Sequence, residues 1–314
     1  MKKNSTKEII LSICMPTYNQ PDAFRRAMES ILPQMTPEIE IVVRDDSTND
    51  EIAKLARFYA ERVPLRYLRG VKLLKGGLDT AMLFLVEEAR GKYVWWFGDE
   101  ALMSGALSKV LSTLRKRPDP SFLYVNSSSF VDFSARSADL KGDGCFRDGN
   151  EVLERLGRRL TFLSATIFER EKALPAIAAA KRYIGYEFSN LYLLFYVLSQ
   201  LGRFCYIGEP QFLSDPKDPQ APLSYDGFQV FCVNFFLVAN EFKRRFNRRS
   251  FKRMLAENFG SIWRTILAHR AKGYKSSFGS DSSKLKIIAK LYWNFPEFWI
   301  ALPLLLLPRP LLKI

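Results

Sequence analysis

The sequence predicts an α/β fold with a mostly parallel sheet and a helical C-terminal extension, on three observations. Apolar runs at residues 9–15, 38–44, 65–69, 93–97 and 122–126 alternate with helix-like segments at the spacing of βαβ units. The first run stops at Pro16-Thr17-Tyr18-Asn19, the second at Asp45-Asp46, and the fourth at Gly98-Asp99-Glu100. Right-handed crossovers place these polar ends along one edge of the sheet, where open α/β folds bind their ligands.

Taken in order, residues 9–15 read as a buried strand that ends at Pro16, and 22–34 as a helix. Residues 38–44 form the second strand, and the Thr-Asn-Asp run before Glu51 caps a helix over 51–62. A strand at 65–69 leads past Gly76-Gly77 into a helix at 78–89, followed by a strand at 93–97, a helix at 104–117 and a strand at 122–126. Beyond a Gly/Asp-rich loop at 139–150, the pattern gives a short helix, a segment at 162–170, helices at 172–181 and 188–201, and a strand at 204–207. The Pro-rich stretch 215–222 is a loop or hinge before a mostly helical tail. The expected domains are therefore 1–225, with a ligand-binding half at 1–131 and a second half at 132–225, and a basic, apolar helical region at 226–314.

Of the 314 residues, 47% are hydrophobic and 25% charged, the balance of a globular protein. Cys14, Cys145, Cys205 and Cys232 are scattered and form no CxxC pair, which reads as separate buried thiols in a reducing compartment. The first eight residues are polar, and the apolar run before Pro16 is too short for a signal-peptide core, so a cytoplasmic protein is expected.

The net charge of +14 is unevenly spread. Residues 241–253 interleave Lys243, Arg244, Arg245, Arg248, Arg249, Lys252 and Arg253 with Phe242, Phe246 and Phe251, giving a helix with an apolar stripe and a cationic face. Such a face suits anionic lipid head groups, a polyphosphate or nucleic acid, or simply water. Residues 291–314 are rich in Trp, Phe and Leu, but Pro303 and Pro308 interrupt them short of the roughly 18 to 20 residues of a spanning helix. This region reads as an interfacial segment or as a terminal helix packed on the protein's own core or on a second subunit.

No Gly-x-Gly-x-x-Gly follows the first strand, so a dinucleotide cofactor is not expected, and no Gly-Lys-Ser/Thr loop occurs, which excludes a P-loop nucleoside triphosphatase. His269 is the one histidine and lies in the basic tail, so a His-activated nucleophile is not expected. Acidic groups at several strand ends suit a cation that neutralises a diphosphate, and hydrogen bonds to a base or a sugar hydroxyl.

The ordered set Ser-Ile-Cys-Met-Pro-Thr-Tyr-Asn, Glu-Ile-Val-Val-Arg-Asp-Asp-Ser-Thr-Asn-Asp, Gly-Gly-Leu-Asp and Ala-Arg-Gly-Lys-Tyr-Val-Trp-Trp-Phe-Gly-Asp-Glu resembles bacterial family 2 glycosyltransferases of glycosyltransferase-A fold. Within that family it is most similar to the abequosyltransferase-like enzymes of O-antigen and capsule assembly. The resemblance spans about residues 9–131 and continues loosely through Phe162-Leu163-Ser164-Ala165 and Ile207-Gly208-Glu209-Pro210.

The resemblance implies that Pro16, Thr17, Tyr18 and Asn19 line a nucleotide pocket with Tyr18 against the base, and that Asp45 accepts from a uracil or cytosine ring. It implies that Asp79 approaches the ribose or the sugar, and that Asp99 with Glu100 holds Mg²⁺ or Mn²⁺. Two departures from the family pattern are Glu100 in place of an aspartate and Ala81 where relatives often carry asparagine. An inverting transfer needs a carboxylate base. Glu187, opening a helix at the expected separation, is the candidate, with Asp215 and Asp132 as rivals.

The expected function is transfer of a hexose from a UDP-, CDP- or TDP-sugar to a polyprenyl-diphosphate-linked saccharide, by a protein peripherally bound to the inner face of the cytoplasmic membrane, with no nucleic-acid partner. Oligomerisation is left open. The competing readings are a nucleotide-sugar-binding protein without turnover, its metal site lost through Glu100 and Ala81, and a nucleic-acid-binding protein using the basic tail.

Overall fold

The computed structural model describes residues 8–70, 77–129, 137–214, 226–272, 282–308 and 311. It comprises β1 (Leu11–Thr17), α1 (Pro21–Ile31), β2 (Ile39–Asp45), α2 (Glu51–Ala60), β3 (Leu65–Arg69), α3 (Gly77–Glu88), β4 (Tyr93–Trp96), β5 (Ala101–Leu102), α4 (Ala106–Leu114), β6 (Pro120–Ser129) and β7 (Asp143–Phe146). There follow α5 (Gly149–Leu156), β8 (Thr166–Glu169), α6 (Arg170–Ala173), α7 (Ile177–Ala180), α8 (Ser189–Leu198) and β9 (Arg203–Ser214). The last elements are α9 (Phe235–Asn240), α10 (Arg248–Lys272), α11 (Ser282–Tyr292) and α12 (Pro296–Leu306).

The sheet runs β3-β2-β1-β4-β8-β6-β9-β5, with β7 paired to β9. Its β3-β2-β1-β4 half is parallel, as the alternating pattern predicts. Every residue of β2 is buried, as expected of a strand covered on both faces. Trp95 and Trp96 point to opposite faces of β4, and both are fully buried. The Trp95 Nε1 donates to the Ser164 carbonyl at 2.8 Å and the Trp96 Nε1 to the Met82 carbonyl at 3.3 Å. Helix α1 opens on Pro21 and buries Phe24, Ala27, Met28 and Ile31, the spacing of one helical face.

The second half of the sheet departs from the expected order. β8, from the segment 162–170, inserts antiparallel between β4 and β6, and β7 forms within the Gly/Asp-rich stretch read as a loop. The helix expected over 172–181 is split into α6, a 3₁₀ turn and α7 at Pro175, which removes one helical N–H and crowds the preceding turn. Across β7 and β9, register partners Cys145 and Cys205 are joined as a disulfide, correcting the expectation of four separate thiols. Cys14 and Cys232 are free and buried.

Two compact units emerge, one of residues 1–149 and 159–216, the other of 150–158 and 217–314. In the second, Tyr292 of α11 stacks on Phe259 of α10, ring centroids 4.6 Å apart, and its hydroxyl donates to the Cys232 carbonyl. The basic segment 241–253 is not one helix. Residues 241–247 form turns, and the Asn247 side chain accepts the Ser250 N–H at 2.8 Å, capping the start of α10. Phe242, Phe246 and Phe251 are nevertheless buried, while Lys243, Arg244, Arg245, Arg248, Arg249 and Arg253 are exposed. Among the described residues no helix is long and apolar enough to cross a membrane.

Candidate active site

The carboxyl ends of β1, β2, β3 and β4 form a continuous edge, since all four strands run parallel. At the end of β1, Thr17 is in register with Asp45, and its carbonyl accepts the Asp46 N–H. Pro16 and Thr17 are partly buried, while Tyr18 keeps 51% of its surface in solvent. Asn19 takes a left-handed backbone, φ 50°, a conformation its short polar side chain tolerates. Its N–H donates to Ser47 Oγ, and its Oδ1 accepts from the Thr48 N–H, so the loops after β1 and β2 are stitched together. Nothing in the motif reading singled out Ser47 or Thr48 as the partners that shape this turn.

Asp45 is fully buried. Its Oδ1 accepts the Ser47 N–H at 2.8 Å, and its Oδ2 accepts both the Tyr67 hydroxyl at 2.7 Å and the Arg69 Nη1 at 2.8 Å. Arg69 also donates to the Ser47 and Asn49 carbonyls. Asp45 therefore organises this edge through two β3 residues that sequence reasoning missed. The signal was present: Tyr67 and Arg69 alternate on one face of a strand next to β2.

Gly98, Asp99 and Glu100 follow β4, and the Phe97 N–H still pairs with the Cys14 carbonyl of β1. Asp99 is exposed and its carbonyl accepts from Arg26 Nη2 at 3.0 Å. Glu100 is turned inward, 7% exposed, with its Oε2 accepting the Ser164 hydroxyl at 2.6 Å and the Gly98 N–H at 3.1 Å. Burial pushes its carboxyl above the usual carboxylate range, and the neighbouring Asp99 charge adds to this. The pair expected to ligate a metal thus divides. Asp99 fits as an exposed carboxylate that would help to hold a divalent cation. Glu100 is turned inward instead, with its Oε2 engaged by Ser164 and Gly98. Among the described residues no three His, Cys, Asp or Glu side chains gather as a metal site.

Asp79 also departs from the expectation. It is fully buried in the first turn of α3, where its Oδ2 accepts the N–H groups of Gly185 at 2.8 Å and Glu187 at 2.9 Å, and its Oδ1 that of Ser189 at 2.9 Å. A carboxylate so enclosed is not presented to a sugar; it builds the turn that carries Glu187. Glu187 itself is half-buried with φ 64°, and its carboxyl is pushed up first by burial and then by Asp79. Ahead of it, Tyr183 stacks on Tyr192 and meets Tyr186 edge-on. A cleft of about 370 Å³ lined by Arg44, Arg69, Thr80, Phe84, Lys181 and Ile184 lies between the β3 end and this turn. The rival bases Asp132 and Asp215, and the hinge at 215–222, fall outside the described residues.

With this geometry in view, likeness to known proteins agrees with the sequence motifs. The model of a family described as Glycosyl transferase family 2 matches residues 12–164. The uncharacterized glycosyltransferase YibD of Escherichia coli K12 is 28% identical over 49% of this chain and 39% of its own length. The abequosyltransferase RfbV of Salmonella typhimurium LT2 is 25% identical over 64% of this chain and 65% of its own. The chain thus spans about two fifths of the first of these relatives and just under two thirds of the second. Residues 1–349 of S. aureus TarS, solved in complex with UDP, superimpose with a TM-score of 0.66 at 15% identity over 94% of this chain and 81% of that one, a likeness of fold.

Proposed function

From a chain whose residues 12–164 match the model of Glycosyl transferase family 2, we propose that this protein moves a hexose from a nucleoside diphosphate sugar to a lipid-linked saccharide in surface-polysaccharide assembly, with inversion and with the help of a divalent metal. The observation that carries the reading is the shared edge: the exposed Tyr18 ring, the Asp45–Arg69 pair and Asp99 stand at the ends of adjacent parallel strands.

In this reading Tyr18 offers its face to a pyrimidine base, and Pro16, Thr17 and Asn19 shape the pocket wall. Asp45 acts by holding Arg69 and Tyr67. Asp99 would hold Mg²⁺ or Mn²⁺, which supplies positive charge against the departing diphosphate. Glu187 takes the proton of the acceptor hydroxyl as that oxygen bonds to the anomeric carbon and the bond to the diphosphate breaks, its electron pair leaving with the diphosphate. A carboxyl raised by burial is a better proton acceptor when ionised than an exposed one. UDP, CDP and TDP sugars are the donors proposed, and a polyprenyl-diphosphate saccharide the acceptor.

The second unit supports a place at the inner membrane surface. Residues 217–314 hold 17 Lys and Arg against six Asp and Glu. Trp293, Trp299, Ile300 and Leu306 are each at least 60% exposed. Aromatic and leucine side chains beside cationic ones suit the anionic head-group layer.

The test is binding of UDP, CDP, TDP and GDP by saturation-transfer NMR with and without Mn²⁺, followed by turnover of the matching hexose donors. Metal-dependent binding of one pyrimidine diphosphate, with diphosphate release abolished in Asp99→Ala, is the expected result; no binding of any nucleotide sinks the reading. The inward turn of Glu100 favours one alternative, a binder without turnover, for which the donor binds but no nucleoside diphosphate is released.

A further inference from the structure

We propose that Asp79 is a positioning residue for Glu187, its buried carboxylate fixing the backbone turn that sets where the Glu187 side chain stands. The inference rests on the reading of Glu187 as the general base.

The three N–H groups that Asp79 accepts belong to alternate residues, Gly185, Glu187 and Ser189, and lie more than a hundred positions away in the chain. Ser189 Oγ returns a bond to the Asp79 carbonyl at 3.3 Å. Two of the three residues sit in left-handed backbone, Gly185 at φ 91° and Glu187 at φ 64°. For glutamate this conformation is unfavourable by itself and persists only where the surroundings fix it. Asp79 is that fixture. It stands on α3, whose Ala81, Met82, Leu83, Leu85 and Val86 are buried, so the anchor is rigid.

The chemistry of the anchor is specific. Both carboxylate oxygens accept, Oδ2 twice and Oδ1 once, whereas an asparagine turns a donor NH₂ toward at least one of these N–H groups. Glutamate keeps the charge but moves it one methylene along. Asp79 also raises the Glu187 carboxyl electrostatically. The other charged groups near this turn are engaged: Lys181 pairs with Glu87 at 3.0 Å, and the Arg182 guanidinium lies over the Tyr183 ring.

The experiment compares wild type, Asp79→Asn, Asp79→Glu and Glu187→Gln. It follows nucleoside diphosphate release from UDP-, CDP- and TDP-glucose across pH, UDP, CDP and TDP binding by NMR, and amide hydrogen exchange at Glu187 and Ser189. Asp79→Asn is expected to bind nucleotide as wild type does, to lose about 10- to 100-fold in kcat, since a small misplacement of a reacting group costs that much, and to exchange both amides faster. Its activity should rise at lower pH than wild type, because the charge that lifts Glu187 is gone. Asp79→Glu should lose kcat yet keep the acid limb nearer to wild type, and it reads the same point if the asparagine variant does not fold. Wild-type kcat and unchanged amide protection in both Asp79 variants, with Glu187→Gln inactive, overturn the positioning role alone. A fully active Glu187→Gln overturns the general base itself. If no donor is turned over, amide exchange in the Asp79 variants still decides whether the turn depends on this carboxylate.

Discussion

The Ser164 hydroxyl donates to the Glu100 carboxylate at 2.6 Å, and the Gly98 N–H reaches both residues. This triangle holds the end of β4 against the segment before β8, and it turns Glu100 away from the edge where Asp99 stands. Removing the hydroxyl in Ser164→Ala leaves a buried carboxylate with one donor fewer. A loss of about 1–3 kcal/mol in unfolding free energy is expected, read as a lower urea midpoint at unchanged slope.

Glu100→Gln tests the same triangle through pH. Burial raises the folded-state pKa of Glu100 above the ordinary glutamate value of 4.5. The folded protein therefore binds this proton more tightly than the unfolded chain. Its stabilising contribution is complete below pH 4.5 and is lost as pH rises through the folded pKa. Glutamine carries no such proton, so wild type and variant should diverge as pH rises from about 4.5 upward, the variant holding the more constant Tm. Parallel Tm profiles for the two proteins would count against an abnormally held proton here.

Asp45 and Arg69 should behave as one unit. Asp45→Asn removes a charge-assisted bond to a guanidinium from a buried site, worth about 1.5–3 kcal/mol, and frees Arg69 from the edge. Nucleotide affinity is expected to fall in Asp45→Asn and in Arg69→Gln to similar extents, and the double variant to be no worse than either. Additive losses would show that each residue meets the nucleotide independently.

How much of this was legible in the sequence follows from the range of the interactions. The parallel strands and the loops after them were readable because alternation and strand-end chemistry are local, and the Thr17–Asp45 juxtaposition follows from strand register. The insertion of β8 between β4 and β6 was not readable, since the segment 162–170 carries no mark of which strands it will join. The partners of Asp79 lie on a turn 106 to 110 residues away, so its acidity read as a ligand for sugar when it was in fact an acceptor for backbone. Glu100 shows the same limit: a motif places a carboxylate near an edge, but only the distant Ser164 decides which way it faces.

The Cys145–Cys205 pairing failed to show in the sequence for a related reason, as 60 residues separate two cysteines that register brings opposite each other. Protein purified without reductant and then denatured should titrate with two thiols, Cys14 and Cys232, and with four after reduction. In a chain-entropy account, a closed loop of this length adds about 4 kcal/mol, so reduction should lower the Tm markedly. Four reactive thiols before reduction would return these residues to the expected free state.

Gly185→Ala separates backbone strain from packing at the Glu187 turn. A Cβ at Gly185 meets no atom within 4 Å, so there is room for it. The φ of 91°, however, lies where side-chain-bearing residues are unfavourable, at a cost of about 1–2 kcal/mol. The chain can relieve that cost only by moving the Gly185 N–H, which is one of the two donors on Asp79 Oδ2. The expected outcome is a modest drop in Tm together with faster amide exchange at Glu187, while the β1 and β2 ends and nucleotide binding stay unchanged. An alanine variant with wild-type exchange at Glu187 would mean that the turn is held by α8 and the tyrosine stack rather than by the carboxylate beneath it.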